Sequence, residues 1–349
     1  MAIETSCDET AAAVIENGKT IKSNIVASQI EIHRRYGGVF PEVASRQHIL
    51  TISTVIQDAL IKARTGWNEL SAVAVTYGPG LVGSLLVGVN TAKGLALSLG
   101  IPLIGINHLE GHLYSNWLHT EREESKADIK FPNLCLIVSG GHTELVLMHD
   151  HGSYEILGQT IDDAAGEAFD KVARMMNLGF PGGPAIQEVA KEGNPQAHNF
   201  PRARLGNSLD FSFSGLKTAV LRVVQKHGKS SAKILQHPAA AAQAKPKLNI
   251  PVADIAASFQ MAVVDVLVSK TKVAADKYNV TEILVAGGVS ANALLRNKLM
   301  AVAERPVRAP AIHLCTDNAA MIGAAAYWRY QAGHFSDWDL DVIPNLKLV

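Results

Sequence analysis

The order of apolar runs and polar breaks along the chain predicts a succession of short strands and helices. The first run is brief, Ala2 to Glu4, and passes into the polar stretch Thr5-Ser6-Cys7-Asp8-Glu9-Thr10. Ala11 to Ile15 is apolar again, and Asn17-Gly18 separates it from a third run, Thr20 to Ile30. Asn-Gly between apolar runs signals a hairpin, because both residues accept the backbone of a tight two-residue turn. Glu42 to Ala63 predicts a helix, with Val43, Ile49, Leu50, Ile56 and Leu60 near helical spacing. Ala72 to Thr76 and Pro102 to Ile106 are continuous apolar runs, the pattern of buried parallel strands. Between them, Tyr77-Gly78-Pro79-Gly80-Leu81-Val82-Gly83-Ser84 is a glycine-rich turn that opens a helix carrying Gly88 and Gly94. His108-Leu109-Glu110-Gly111-His112 begins the next helix.

After a polar linker, Glu121 to Lys130, the pattern restarts. Asn133 to Ser139 predicts a strand, Gly140-Gly141 a turn, and Thr143 to His149 a second strand, repeating the N-terminal hairpin. Two such units, each followed by helices, predict a duplicated α/β fold. Glu167 to Met176 predicts a helix, and Gly179 to Pro184 a loop, since Pro and Gly break both periods. Lys226 to Lys247 reads as a flexible surface insertion. Val252 to Tyr278 predicts a long helix and Glu282 to Ala286 a strand, ending in Gly287-Gly288-Val289-Ser290-Ala291-Asn292. Asp317 to Tyr330 predicts an alanine-rich last helix.

Composition narrows the class. At roughly 150 residues per domain, 349 residues suggest two domains with a large core. An apolar fraction of 48% against 18% charged residues excludes a mostly disordered chain. Lys+Arg and Asp+Glu balance at 32 each, which argues against a general coat for nucleic acid. The balance hides an asymmetry: Lys191 to Ile250 carries ten Lys and Arg against Glu192 and Asp210 alone. Such a segment suits one docked RNA, with Arg202 and Arg204 as candidate contacts, or simply a solvated lysine-rich insertion. Cys7, Cys135 and Cys315 are odd in number and widely spaced, which gives neither a disulfide framework nor a CxxC zinc site and fits a reducing, cytoplasmic setting. No basic region followed by an apolar one opens the chain, so no signal peptide is expected. No membrane span is expected either: the longest candidate, Leu81 to Leu99, is broken by Gly83, Asn90, Lys93 and Gly94.

His108 and His112 stand at i and i+4, so a helix would place them on one face about 6 Å apart, where they could share a metal or merely cap the helix. Glu110 is two positions from His108, about 200° around the helix, and so cannot serve as the base of a metalloprotease HExxH motif. Ser139-Gly140-Gly141-His142-Thr143 and Ala286-Gly287-Gly288-Val289-Ser290 follow buried strands, and Gly182-Gly183 forms a third glycine loop. Such loops let backbone N–H groups approach a phosphate or nucleoside, although one Gly-Gly alone is usually a tight turn. Asp8 and Glu9 lie in the first turn, and Asp170 precedes a glycine loop. Asp317 is placed to cap the last helix and could also reach a metal. Cys7 has no local basic partner to activate it as a nucleophile.

Taken together, Ile3-Glu4-Thr5-Ser6-Cys7-Asp8-Glu9-Thr10, Tyr36-Gly37-Gly38-Val39, Pro41-Glu42-Val43-Ala44-Ser45-Arg46, His108 to His112, Ser139 to Thr143, Gly287 to Asn292 and Cys315-Thr316-Asp317-Asn318 resemble the TsaD family, once described as glycoproteases. The resemblance runs almost the whole length, and its spacing is similar to the bacterial and organellar branch. It implies a duplicated actin/sugar-kinase/Hsp70-like fold, two α/β lobes around a ligand cleft. The expected division is an N-terminal lobe over 1–125, a C-terminal lobe over 131–316 with an insertion at 226–250, and a terminal helix and tail over 317–349. In that family several mostly apolar residues precede the Ile-Glu-Thr-Ser stretch, so the first strand is expected to be short here.

The resemblance further implies that His108, His112 and Asp317 bind one divalent metal, Fe2+ first and Zn2+ second. It places threonylcarbamoyl-AMP against Ile137, Val138, Ser139, Gly140, Gly141, Asp170, Gly183 and Asn292. The implied reaction moves the threonylcarbamoyl group to N6 of adenosine 37 in tRNAs reading ANN codons and releases AMP. Asp8 or Glu9 is the candidate for orienting the amine or taking its proton. The implied partners are tRNA with a TsaB-like paralogue and a TsaE-like ATPase in bacterial members, or a second copy in organellar ones. A metalloprotease and a small-molecule kinase of the same fold are the rival readings.

Overall fold

The computed structural model describes residues 1–121, 123, 128–203, 205–227 and 251–349. Arg204, half of the predicted linker and all but the start of the 226–250 insertion lie outside the described residues.

Six strands form the first sheet: β1 (Ala2–Glu4), β2 (Glu9–Glu16), β3 (Thr20–Ser28), β4 (Val73–Gly78), β5 (Leu103–Asn107) and β6 (His119–Thr120). Five form the second: β7 (Asn133–Val138), β8 (Thr143–Asp150), β9 (Ser153–Gln159), β10 (Glu282–Ala286) and β11 (Val307–Arg308). Their orders are β5-β4-β1-β2-β3-β6 and β11-β10-β7-β8-β9. The two share a nucleus. In each, a first strand pairs parallel with a later one (β1 with β4, β7 with β10) and antiparallel with the next, which turns back once more. The duplication expected from the repeated hairpin pattern is therefore present. Asn17 and Gly18 take φ of 52° and 69°, the backbone that the Asn-Gly signal predicts.

Side-chain alternation along β1 sends Ile3 outward and Ala2 and Glu4 inward. Ile3 joins a core with Ile52, Val55, Ile56 and Val89 beneath the helices Pro41–Ala63 and Val82–Leu99. Ala2 joins a central core that also takes Ile137 and Met148 from the second sheet and Ala319 to Ala326 from the last helix, Ala319–Gln331. That helix and His108–Tyr114 thus lie between the sheets. A third core, with Phe169, Ile186 and Phe259, covers the far face of the second sheet. Small residues let the central layer close: a Cβ on Gly111 would sit 2.6 Å from Ile322 Cδ1, and one on Gly323 would sit 2.6 Å from Ile15 Cγ1.

Several expectations are corrected. The third strand ends at Ser28, and Ile30–Arg34 is a helix. On Pro41–Ala63 the inward row is Ala44, His48, Ile52, Val55, Ile56, Ala59, Leu60 and Ala63, so Ile56 and Leu60 face the core as expected. Ile49 and Leu50 are 63% and 75% exposed. The packed row includes a histidine, because His48 is satisfied inside, 3.0 Å from the Cys7 carbonyl and 2.8 Å from Thr10 Oγ1. The Gly179–Pro184 stretch is a loop only to Pro181; Gly182–Ala190 is a helix, and Pro184 fits its first turn, where no N–H bond is needed. Two helices, Val82–Leu99 and Val252–Lys277, are long and apolar enough to cross a membrane by length and composition. Counting Gly, Asn and Lys as breaks hid this; both helices supply buried residues to the outer cores. Among the described residues of the basic segment, Arg202 pairs with Asp265 at 3.0 Å, Lys217 with Asp163, and Lys191 with the neighbouring Glu188.

Candidate functional site

At the end of β5 the Asn107 side chain accepts from the Leu109 N–H at 2.8 Å and caps the helix His108–Tyr114, every residue of which is buried. The cap fixes the helix start and so directs both histidines to the end of the last helix. Asp317 Oδ1 lies 3.4 Å from His108 Nε2 and 3.2 Å from His112 Nε2. The three ligand atoms fall within 4.8 Å of one another. Asp317 does not cap the last helix, contrary to one reading of its position; Asn318 does, accepting from the Met321 N–H at 3.2 Å. The cap reading named the wrong member of Asp-Asn, since either side chain can fill that role.

The donor set fits a metal. His112 is fully buried, its Nδ1 has no hydrogen-bond partner, and its Nε2 faces Asp317 Oδ1 at 3.2 Å without the angle of a good hydrogen bond. A buried imidazole nitrogen left open beside a second imidazole and a carboxylate is what a Zn2+ or Fe2+ ion completes. Burial alone would lower the His108 pKa, but Asp317 and Glu4 on either side of the ring outweigh it and hold the pKa well above the ordinary value. Burial lowers His112. Burial pushes the Asp317 carboxyl up, and the two histidines more than reverse this, holding it far below the usual range.

Asp8 and Glu9 are buried at the start of β2, close enough to Asp317 to feel its charge. Burial, then Asp8 and Asp317, push the Glu9 carboxyl up to about 10, against a Ser28 hydroxyl that donates to it at 3.0 Å. The Cys7 thiol is pushed well up by burial and by Asp8, consistent with its dismissal as a nucleophile. Glu110 points away from the metal candidates, as its spacing predicts. It accepts from Arg329 at 2.7 Å and from Tyr154 Oη at 2.9 Å.

The glycine loops close into a ring. Ser139 ends β7, and the Gly166 N–H in the first turn of the helix Ala165–Met175 donates to its carbonyl at 3.2 Å. Further along that helix, Asp170 accepts from the Gly182 N–H at 2.7 Å. On Gly182–Ala190, Gln187 accepts from the Ala293 N–H at 2.8 Å. Gly287, at φ 85°, backs onto Val138, where a Cβ would meet the carbonyl oxygen at 2.5 Å. Gly140, Gly141, Gly183 and Gly288 have no atom within 4 Å of where a Cβ would be, so backbone lies open at these four points of the ring. His142, on the same β7–β8 turn, is lowered to about 4 by burial and then by His108 and His112, which places the metal candidates beside this turn.

Ile137 and Val138 are fully buried, so only their main chain can meet a ligand. The Asn292 side chain is engaged at both ends, donating to Gln260 at 2.8 Å and accepting from the Leu295 N–H at 3.0 Å. The residue-by-residue reading singled out neither Glu4 nor Gly166. Glu4 is fully buried and 3.1 Å from His108 Nδ1; its only signal was a charge in an otherwise apolar strand.

A family model described as "TsaD: tRNA N6-adenosine threonylcarbamoyltransferase" matches residues 20–324. Relatives of that name include the Thermomicrobium roseum protein, 54% identical over all of this chain and 96% of its own length. The Dehalococcoides mccartyi protein is 53% identical over all of this chain and 98% of its own. The Desulfitobacterium hafniense protein is 52% identical, with 100% and 97% covered. Among solved structures, component A of the Acidaminococcus fermentans (R)-2-hydroxyglutaryl-CoA dehydratase superposes with a TM-score of 0.51 at 14% identity, covering 95% of this chain and 98% of that one. The T. kodakarensis HypF structure gives 0.56 at 14% identity, covering 83% and 45%. These likenesses speak to fold alone, and they agree with the duplicated actin/sugar-kinase/Hsp70-like arrangement seen in the strand orders. A family match over most of the length, with relatives above half identity end to end, means that the chain belongs to the TsaD family.

Proposed function

We propose that the protein transfers the threonylcarbamoyl group of threonylcarbamoyl-AMP to N6 of adenosine 37 in tRNAs reading ANN codons, acting in the cytoplasm. The observation that carries this reading is the open imidazole of His112 set with His108 and Asp317 beside a glycine ring. His108, His112 and Asp317 would hold one divalent ion, Fe2+ before Zn2+, which when bound supplies Lewis-acid polarisation of a carbonyl. The backbone of Ile137 to Gly141, with Asp170, Gly183 and Asn292 shaping the ring, would hold the adenylate. Residues 1–125, 131–316 and 317–349 are the working division into N-terminal lobe, C-terminal lobe and returning helix.

In the reaction the N6 amine attacks the carbamoyl carbon. The new N–C bond forms, the C–O bond to phosphate breaks, and AMP departs with the electron pair. The proton lost from N6 needs an acceptor. Asp8 and Glu9, adjacent and buried at the start of β2, are the candidates for taking that proton or orienting the amine. Positioning carries much of the barrier, because adenine N6 is a weak nucleophile that must be held against the carbonyl. The protease reading is disfavoured by Glu110, which is tied to Arg329 and Tyr154.

Partners of the TsaB and TsaE type, or a second copy of the chain, would complete the system. The test supplies tRNA, threonine, bicarbonate, ATP and the adenylate-forming enzyme, with and without those partners, and reads modified adenosine by mass spectrometry. Modified adenosine is expected; none in any combination overturns the reading. Full activity in both Asp8→Asn and Glu9→Gln would remove these two carboxyls from the mechanism.

A further inference from the structure

We infer that Glu4 is a positioning residue for the metal: its carboxylate fixes which nitrogen of His108 faces Asp317. The inference rests on the metal reading above. β1 is three residues long, and its alternation turns Ile3 to the outer core and Glu4 to the central layer. There Glu4 is fully buried, and a carboxylate in such a place needs a hydrogen-bond donor for each oxygen. The Ser6 N–H donates to Oε1; the Thr76 hydroxyl donates to Oε2, which also lies 3.1 Å from His108 Nδ1. An ionised carboxylate only accepts, so Nδ1 carries the hydrogen that joins the two residues. The other nitrogen, Nε2, is then the one on the side of Asp317, 3.4 Å away, and it is the nitrogen whose proton a metal ion would displace.

The two histidines differ in this respect. His108 is held from behind by Glu4, with Ser6 Oγ also 3.2 Å from Nδ1. His112 Nδ1 has no partner, and packing alone sets its ring. Glu4 therefore acts on His108 alone of the pair, from a strand far from it in sequence.

The test titrates the full-length, metal-stripped protein with Zn2+ against a chromophoric chelator, comparing wild type, Glu4→Gln and Thr76→Val. Glu4→Gln keeps the shape but places an amide where two flanking donors need acceptors, and it is expected to weaken Zn2+ about 10- to 100-fold. Thr76→Val removes a second donor from the same carboxylate without touching His108, and its Zn2+ affinity is expected to stay within about threefold of wild type. Equal affinity in Glu4→Gln and wild type overturns the inference. So does an equal loss in Thr76→Val, since general loosening of the layer would then explain both. If Glu4→Gln does not fold, Glu4→Asp, which keeps the charge but stops short of His108, is read in the same way. A wild-type protein that takes up no Zn2+ overturns the metal reading itself, an outcome distinct from a wild type that binds and a variant that binds equally.

Discussion

Asp317 Oδ1 lies 3.2 Å from Nε2 of His112 because the helix cap beside it belongs to the next residue, Asn318. A capping carboxylate would be turned towards its own backbone; Asn318 relieves Asp317 of that duty. Asn318→Ala should cost about 1 kcal/mol of stability through the lost cap. It should also weaken Zn2+ binding, since Asp317 is then free to turn and take the vacated N–H. Asn318→Asp should keep the cap but lose stability, because its carboxylate would face the Leu314 and Thr316 carbonyls to which the Asn318 amide donates at 3.4 and 2.7 Å. Urea unfolding and a Zn2+ titration on the same samples check this, and unchanged Zn2+ affinity in Asn318→Ala would separate the cap from the site.

Glu9 predicts a pH dependence of stability. A carboxyl whose folded pKa is raised adds stability that is whole below its unfolded value, 4.5, and is lost as pH rises towards about 10. The native state binds the extra proton across that window, so stability must fall with rising pH, by at most about 1.4 kcal/mol per unit for one proton. His142 works in the opposite sense and lower down: held near 4, it loses stability as pH falls below 6.5. Between about pH 7 and 9 the metal-free wild type should therefore lose stability more steeply than Glu9→Gln. Urea midpoints across that range decide it, and parallel lines would mean that Glu9 ionises in the ordinary range.

Glu110 separates the two metal chemistries. A metalloprotease would need it on the metal side; here it holds Arg329 and the Tyr154 hydroxyl within the central layer. Glu110→Ala leaves Arg329 without its carboxylate and Tyr154 with only the Tyr114 hydroxyl at 3.4 Å, and should cost about 1–3 kcal/mol, at the lower end because Arg329 is about a third exposed. Zn2+ affinity should stay near wild type. Loss of Zn2+ binding with stability intact would return Glu110 to the metal.

Much of this was legible in the chain because local patterns carried it. The repeated strand–turn–strand units gave the duplication, and the i, i+4 histidines gave half of the metal site. What could not be read depends on contacts distant in sequence. Glu4 gains its meaning only when β1 pairs with β4 and His108 comes to lie above it, 104 residues away. Ile49 and Leu50 looked like core on hydrophobicity, yet the buried row of their helix runs through Ala44 and His48, chosen by close approach and by the Cys7 carbonyl. The pairing of Arg202 with Asp265 was hidden for the same reason, since the two are 63 residues apart.

The glycine ring gives the sharpest separation of fold from binding. At Gly287, φ is 85° and an added Cβ would lie 2.5 Å from the Val138 carbonyl oxygen; at Gly166 it would lie 2.4 Å from that of Ser139. Both obstacles are backbone and cannot swing aside, so Gly287→Ala and Gly166→Ala should each cost about 1–3 kcal/mol. At Gly141 and Gly183 nothing lies within 4 Å of the added Cβ. Gly141→Ala and Gly183→Ala should therefore leave the unfolding midpoint unchanged. If the open backbone of these loops holds the adenylate, a methyl group there should still weaken AMP, because backbone can no longer approach the phosphate or nucleoside. Calorimetric titration of AMP into these two variants reads this directly: weaker binding at constant stability places the nucleotide in the ring, and unchanged binding in both places it elsewhere.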